Sequence, residues 1–103
     1  MRKRNNKHGY SSDLAQEYID NGKAIINLST QVEKLYVWKE NKRTAQVSGY
    51  QAWFSQEGVE PFKVKFAKKP ELPPYLSQVN LINLEACEVR YNVYFRASDL
   101  KEF

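Results

Sequence analysis

The sequence predicts a mostly β protein, of α+β type: a small OB-like coiled barrel of five or six antiparallel strands with a short N-terminal helix. Three observations carry that expectation. Aromatic residues make up 14% of the 103 positions, with seven Tyr, five Phe and two Trp, and such side chains suit a pleated, half-buried surface. Short stretches of alternating apolar and polar character recur along the chain, separated by turn residues. Gly49 sits where the longest of these stretches changes phase, as happens at a β-bulge or sharp bend. An SH3-like barrel, or a plain antiparallel sheet with one helix packed on it, would satisfy the same pattern. With 42% hydrophobic residues, one modest core is affordable, and residues 11–103 are expected to form one β-rich domain behind a flexible basic tail, 1–10.

The elements follow in order. Ser11-Ser12-Asp13 offers a helix cap, Leu14, Ala15, Tyr18 and Ile19 recur on one helical face, and Asn21-Gly22 supplies a stop, so a short amphipathic helix is predicted over 12–21. Ala24–Leu28 reads as a short strand or connector. In Val32–Lys39, Leu35 and Val37 share one face while Tyr36 and Trp38 share the other, and Glu40–Arg43 reads as a turn. Residues 44–55 form the longest strand, bent at Gly49. Phe62, Val64 and Phe66 point inward from the next strand, with Lys63 and Lys65 outward. Residues 67–77 hold three of the four prolines and read as a stiff connection. Strands are expected at Val79–Leu84 and Tyr91–Arg96, separated by a connection around Glu88–Arg90, and Ser98-Asp99-Leu100 reads as the cap of a final helical turn.

Several kinds of chemistry are excluded by what the chain lacks. One His and one Cys cannot build a histidine or thiolate metal site within the chain. His8 belongs to the tail, a poor place for a general base. Cys87 has no neighbour in sequence that would activate it and reads as a packing residue. Four glycines form no phosphate loop or dinucleotide fingerprint. The expectation is a protein without catalytic residues, cofactor or metal. A single cysteine excludes an intrachain disulfide, and Arg2, Lys3 and Arg4 are not followed by an apolar segment. Together these predict a cytoplasmic protein with no membrane association. The match of Asn27-Leu28-Ser29 to a glycosylation acceptor carries no meaning there.

The net charge of +4 has a telling placement. Arg2, Lys3, Arg4 and Lys7 stand in a tail without acids, and the remaining bases and acids balance. Beyond the tail, bases interleave with aromatics: Tyr36, Trp38 and Lys39, then Lys42 and Arg43, then Tyr50 and Trp53, then Lys63 and Lys65. Single-stranded nucleic acid is held by such a combination, because bases stack on aromatic faces while cations follow the phosphates. Aromatics at strand spacing also build cores. Two or three of Tyr36, Trp38, Tyr50 and Trp53 are expected at the surface, with Phe62, Phe66 and Phe95 inside. The tail adds attraction that is independent of sequence and sensitive to salt.

From Val32 to Leu100 the chain resembles a family of small OB-fold-like accessory proteins carried by Gram-positive conjugative transposons and plasmids, which includes a helicase processivity factor. The similarity lies in Val37-Trp38 followed by a charged turn and Arg43, in Ser48-Gly49-Tyr50, in Val79–Asn83, and in Tyr94 with Arg96-Ala97-Ser98-Asp99-Leu100. The basic tail, the N-terminal helix, Leu84 in place of a usual proline and a shorter final hairpin depart from the pattern. The resemblance implies a non-enzymatic DNA-binding role in a mobile genetic element, with a helicase, relaxase or nuclease effector as protein partner. It also opens a second reading, a small inhibitor of a host nucleic-acid enzyme in the manner of anti-CRISPR proteins, bound to the effector or its guide RNA. The chain lacks the dense acidic surface of a DNA mimic. A third reading is an adaptor whose aromatic face binds a protein.

Overall fold

A computed structural model describes residues 9–103. They form one helix, α1 (Ser12–Tyr18), and eight strands: β1 (Ile25–Asn27), β2 (Glu33–Lys39), β3 (Lys42–Gln56), β4 (Val59–Phe66), β5 (Gln78–Ile82), β6 (Glu85–Val89), β7 (Asn92–Arg96) and β8 (Asp99–Glu102). All eight belong to one sheet, in the order β6-β7-β4-β3-β1-β5-β8, with β2 paired to β3 beside that path. The fold is therefore mostly β, with a strongly curled sheet compatible with a small OB-like barrel.

The curl follows from connectivity. β7 lies against β4 on one wing, and β8 lies against β5 on the other, yet only Ala97 and Ser98 separate β7 from β8 in the chain. That link is hydrogen-bonded to both wings, through Ala97 N to Lys65 O (3.0 Å) and Ser98 N to Ile82 O (2.9 Å). The sheet must roll until the wings meet at this end. The interior so formed holds Ala52, Phe54, Phe62, Val64, Phe66, Val79, Ala86, Phe95 and Leu100, with Ala15 and Ile19 from α1. Phe54, Phe62, Phe66 and Phe95 make a chain of ring contacts, with centroids 5.2–6.4 Å apart, at separations where tilted rings attract.

β3 bends at Gly49, where the phase change predicts it. Leu35 pairs with Gly49 but Tyr36 pairs with Val47, which leaves Ser48 as the extra residue of a bulge. A Cβ on Gly49 would stand 3.1 Å from the Phe66 carbonyl oxygen, so the close approach of β4 needs glycine. The β2–β3 turn puts Glu40 and Asn41 at positive φ (51° and 64°), the pattern of a two-residue hairpin whose twist matches its strands.

Four local expectations are corrected. The strand count is eight, because β6 and β8 are short segments stabilised by pairing that no local pattern reveals. The helix ends at Tyr18 and not at residue 21. Gln56 takes both backbone groups of Asp20, accepting from its N–H (2.8 Å) and donating to its C=O (2.7 Å), which draws the chain out of helical geometry. The final helical turn at Ser98–Leu100 is instead the start of β8, since Leu100 pairs with Leu81 and buries its side chain. Residue 88 lies in β6, in a five-residue ladder with β7, so the connection shrinks to Arg90 and Tyr91.

α1 begins where Ser11 Oγ accepts from Leu14 N (3.2 Å) and packs on β6. Ser11 also exchanges two backbone hydrogen bonds with Ala86. Tyr18 donates to Glu88, and that carboxylate pushes the phenol above its ordinary pKa. The proline-rich connection is tied down by Asn27, which is fully buried. Its Nδ2 donates to the carbonyls of Pro73 (2.8 Å), Pro74 (3.2 Å) and Ser29 (3.0 Å). Its Oδ1 accepts from Ser29 N (2.9 Å). The amide that matches a glycosylation acceptor is consumed as an internal strut. Among the described residues, no helix is long and apolar enough to cross a membrane.

Candidate functional site

β4 is the element that organises the surface. Its alternation buries Phe62, Val64 and Phe66 and exposes Lys63 and Lys65 on the face of the sheet away from the core. β3 runs antiparallel on one side and places Trp53 opposite Lys63 and Gln51 opposite Lys65. β7 runs parallel on the other side, with Arg96 beside Lys65 and Phe95 beside Val64. Phe95 points inward, so Tyr94 and Arg96 point outward. The outer face thus assembles Trp53, Lys63, Lys65, Tyr94 and Arg96 from three strands.

The aromatic groups remain accessible there. Trp53 is 39% exposed and Tyr94 47%. The Lys63 ammonium lies 5.5 Å from the Trp53 ring centroid, within cation–π range. At the rim Tyr10 lies under the Arg96 guanidinium, 4.2 Å from ring centroid to Cζ, while Glu85 holds Arg96 by an ion pair of 2.8 Å. Burial, helped by the neighbouring Cys87 thiol, pushes the Tyr10 phenol above its ordinary pKa, so Tyr10 stays neutral and protonated at physiological pH. Between Trp53, Lys63 and Tyr94 runs an open cleft of about 610 Å³, lined also by Leu35, Gln51, Pro61 and Asn92 and by no carboxylate. Glu33 stands nearby and accepts from Gln51 Nε2 (2.9 Å).

The residues singled out in the sequence fall into two groups. Trp53, Lys63 and Lys65 come together on the outer face. Tyr36, Trp38, Lys39, Lys42 and Arg43 occupy the β2–β3 hairpin away from that cleft. Tyr50 pairs with Lys34 and Phe66 and shares the core-side face with Ala52 and Phe54, half-buried at the boundary between body and hairpin. Lys34, Tyr36 and Trp38 project on that same core-side face. The two aromatic groups therefore look out from opposite faces of the sheet. Arg2, Lys3, Arg4 and Lys7 lie outside the described residues.

Tyr10, Gln51, Tyr94 and Arg96 were not among the predicted site residues. For Tyr94 and Arg96 the signal was present, because a core Phe95 in a strand sends both neighbours outward. Their place beside Lys65 depends on the parallel β4–β7 pairing, for which the sequence has no local marker. Among the described residues, no group of three or more His, Cys, Asp or Glu is placed to hold a metal ion.

Fold and surface define a class: a small curled β-sheet protein with an aromatic and basic outer face. No family model, curated protein or solved structure matches the chain.

Proposed function

We propose that the protein is a non-enzymatic binder of single-stranded DNA, which it takes on the outer face of β3, β4 and β7. One observation carries the reading: a cleft lined by Trp53, Tyr94, Lys63 and Lys65 that contains no carboxylate. Bases stack on the exposed rings of Trp53 and Tyr94, each worth about 1–3 kcal/mol, and phosphates meet Lys63, Lys65 and Arg96. Rigid strands hold these groups in register, so little ordering is needed on binding. The setting, an accessory role in a mobile genetic element, rests on the resemblance of residues 32–100 alone.

The test is fluorescence polarisation with a labelled single strand, at low and at physiological salt. Trp53→Ala is expected to weaken binding about tenfold, the loss of one stacked base, while the thermal transition stays within a few degrees of the parent protein. Equal affinity in the two proteins would sink the reading. Tight capture of a nuclease or helicase, with feeble binding to free DNA, would favour the inhibitor reading in its place.

A further inference from the structure

The β2–β3 hairpin is built unlike the rest of the sheet. Between Lys42 and Ser48, β3 has β2 as its one ladder partner among the described residues, since β4 joins at Tyr50 and β1 at Phe54. Among the described residues, β2 has no neighbour on its far edge. No residue of β2 is buried, and none of β3 from Lys42 to Ser48. The result is an arm of two strands that leaves the body at Gly49. An isolated two-stranded hairpin is marginal in water, and this one is braced locally. Thr44 Oγ1 donates to Val37 O (2.7 Å) and accepts from Gln46 N (3.2 Å) across a wide bulge that sharpens the ribbon's twist.

The tip carries an unusual set of side chains. Lys39 and Lys42 stand directly opposite each other on one face, and Trp38 stands opposite Arg43 on the other. The Arg43 guanidinium lies 4.7 Å from the Tyr36 ring centroid, and Trp38 is 65% exposed. Like charges at a directly paired position weaken a ladder. Lysines that guard open strand edges would account for Lys39 and Lys42. They leave an exposed tryptophan beside an arginine without a purpose.

We infer that this arm is a second nucleic-acid contact that grips duplex DNA, so that the preferred ligand is a junction between single and double strand. The inference rests on the proposed single-strand reading, with the outer face of the sheet holding the unpaired segment. Three features favour a duplex at the arm. A two-stranded ribbon fits the major groove, about 12 Å wide. The bases at the tip lie on both faces of the ribbon, and a groove has a phosphate wall on either side. The exposed aromatics of the arm face away from Trp53 and Tyr94, so one continuous single strand cannot stack on both sets. A second copy of the chain is a poor occupant, because arm-to-arm contact would bring Lys39, Lys42 and Arg43 towards their own counterparts.

The experiment compares three labelled DNAs by fluorescence polarisation on the full chain: a single strand of about 20 nucleotides, a blunt duplex of about 20 base pairs, and that duplex with a single-stranded tail. The parent protein is expected to bind the tailed duplex at least about tenfold more tightly than either other DNA, since two linked contacts reinforce each other. Lys39→Glu combined with Lys42→Glu should abolish that advantage and leave single-strand affinity within about twofold. Arg43→Ala should reduce it, and decides the matter if the double variant fails to fold. A tailed duplex bound no better than a single strand, or an advantage that survives in these variants, overturns the inference and leaves the single-strand reading standing. Single-strand affinity unchanged by Trp53→Ala removes that reading and the inference with it.

Discussion

The two halves of β3 show how one strand serves two purposes. From Tyr50 to Gln56 it has neighbours on both edges, β4 on one and the start of β2, then β1, on the other, and buries Ala52, Phe54 and Gln56. From Lys42 to Ser48 it has β2 alone among the described strands and buries nothing. The two halves are similar in sequence character, each mixing aromatic or aliphatic with polar residues. What separates them is the number of covered edges and faces. A residue such as Phe54 acquires its energetic weight from β4, β1 and the far wing of the sheet. A residue such as Trp38, with comparable hydrophobicity, has no wing to meet. In the body aromatics contribute stability, and in the arm Trp38 stays exposed.

Three substitutions sharpen or break this contrast. Phe54→Ala should have the largest effect, about 3–5 kcal/mol, because it removes a fully buried ring from the centre of four. At roughly 4–8 °C per kcal/mol, thermal melting should fall by more than about 10 °C. A fall of only a few degrees would show that the body is not close-packed around Phe54. Asn27→Ala comes next, at about 2–3 kcal/mol. It strands the buried carbonyl of Pro73, while the Pro74 carbonyl keeps its bonds from Ser77 N and Oγ, and the cost lies in that unsatisfied acceptor more than in the lost bonds. Limited proteolysis in the 67–77 connection should speed up in that variant ahead of global unfolding. The smallest effect on stability belongs to Trp38→Ala, within about 0.5 kcal/mol. That variant should nevertheless lose several-fold affinity for a tailed duplex. Unfolding of Trp38→Ala would mean that the arm packs against something and that the distinction between the halves of β3 is wrong.

Much of this was legible in the residues. The alternation of Phe62–Phe66 names the inward and outward faces of β4, and Gly49 marks the bend in β3. Ser11 marks the helix start, and the face of Leu14, Ala15 and Ile19 marks its packing side. The outward lysines of β4 and the aromatic Trp53 were visible as candidate binding groups for the same reason: a strand's period of two assigns them a face. The ends of elements were less legible. Ser98-Asp99-Leu100 has the local signature of a helix cap, but pairing with β5 satisfies that backbone and buries Leu100, and tertiary pairing prevails over a weak local preference. Gln56, through Asp20, shortens α1 from 36 positions away in the chain, a distance at which no local signal reaches.

Composition and periodicity by themselves determined that this chain is mostly β, that Phe62, Phe66 and Phe95 belong to the core and that its exposed positions mix lysine with large aromatics. These are properties of single strands, set by side-chain alternation and by the hydrophobic drive to bury one face. Only the tertiary structure decided which strands become neighbours. The parallel docking of β7 on β4 brings Tyr94 and Arg96 to Lys63, Lys65 and Trp53, and the absence of a second partner for Lys42–Ser48, beyond β2, among the described strands separates Tyr36 and Trp38 from them. Pairing between segments distant in the chain depends on the closure of the whole sheet around one interior. That closure sorted one apparent aromatic-basic set into a cleft on the body and a tip on an arm, facing opposite ways.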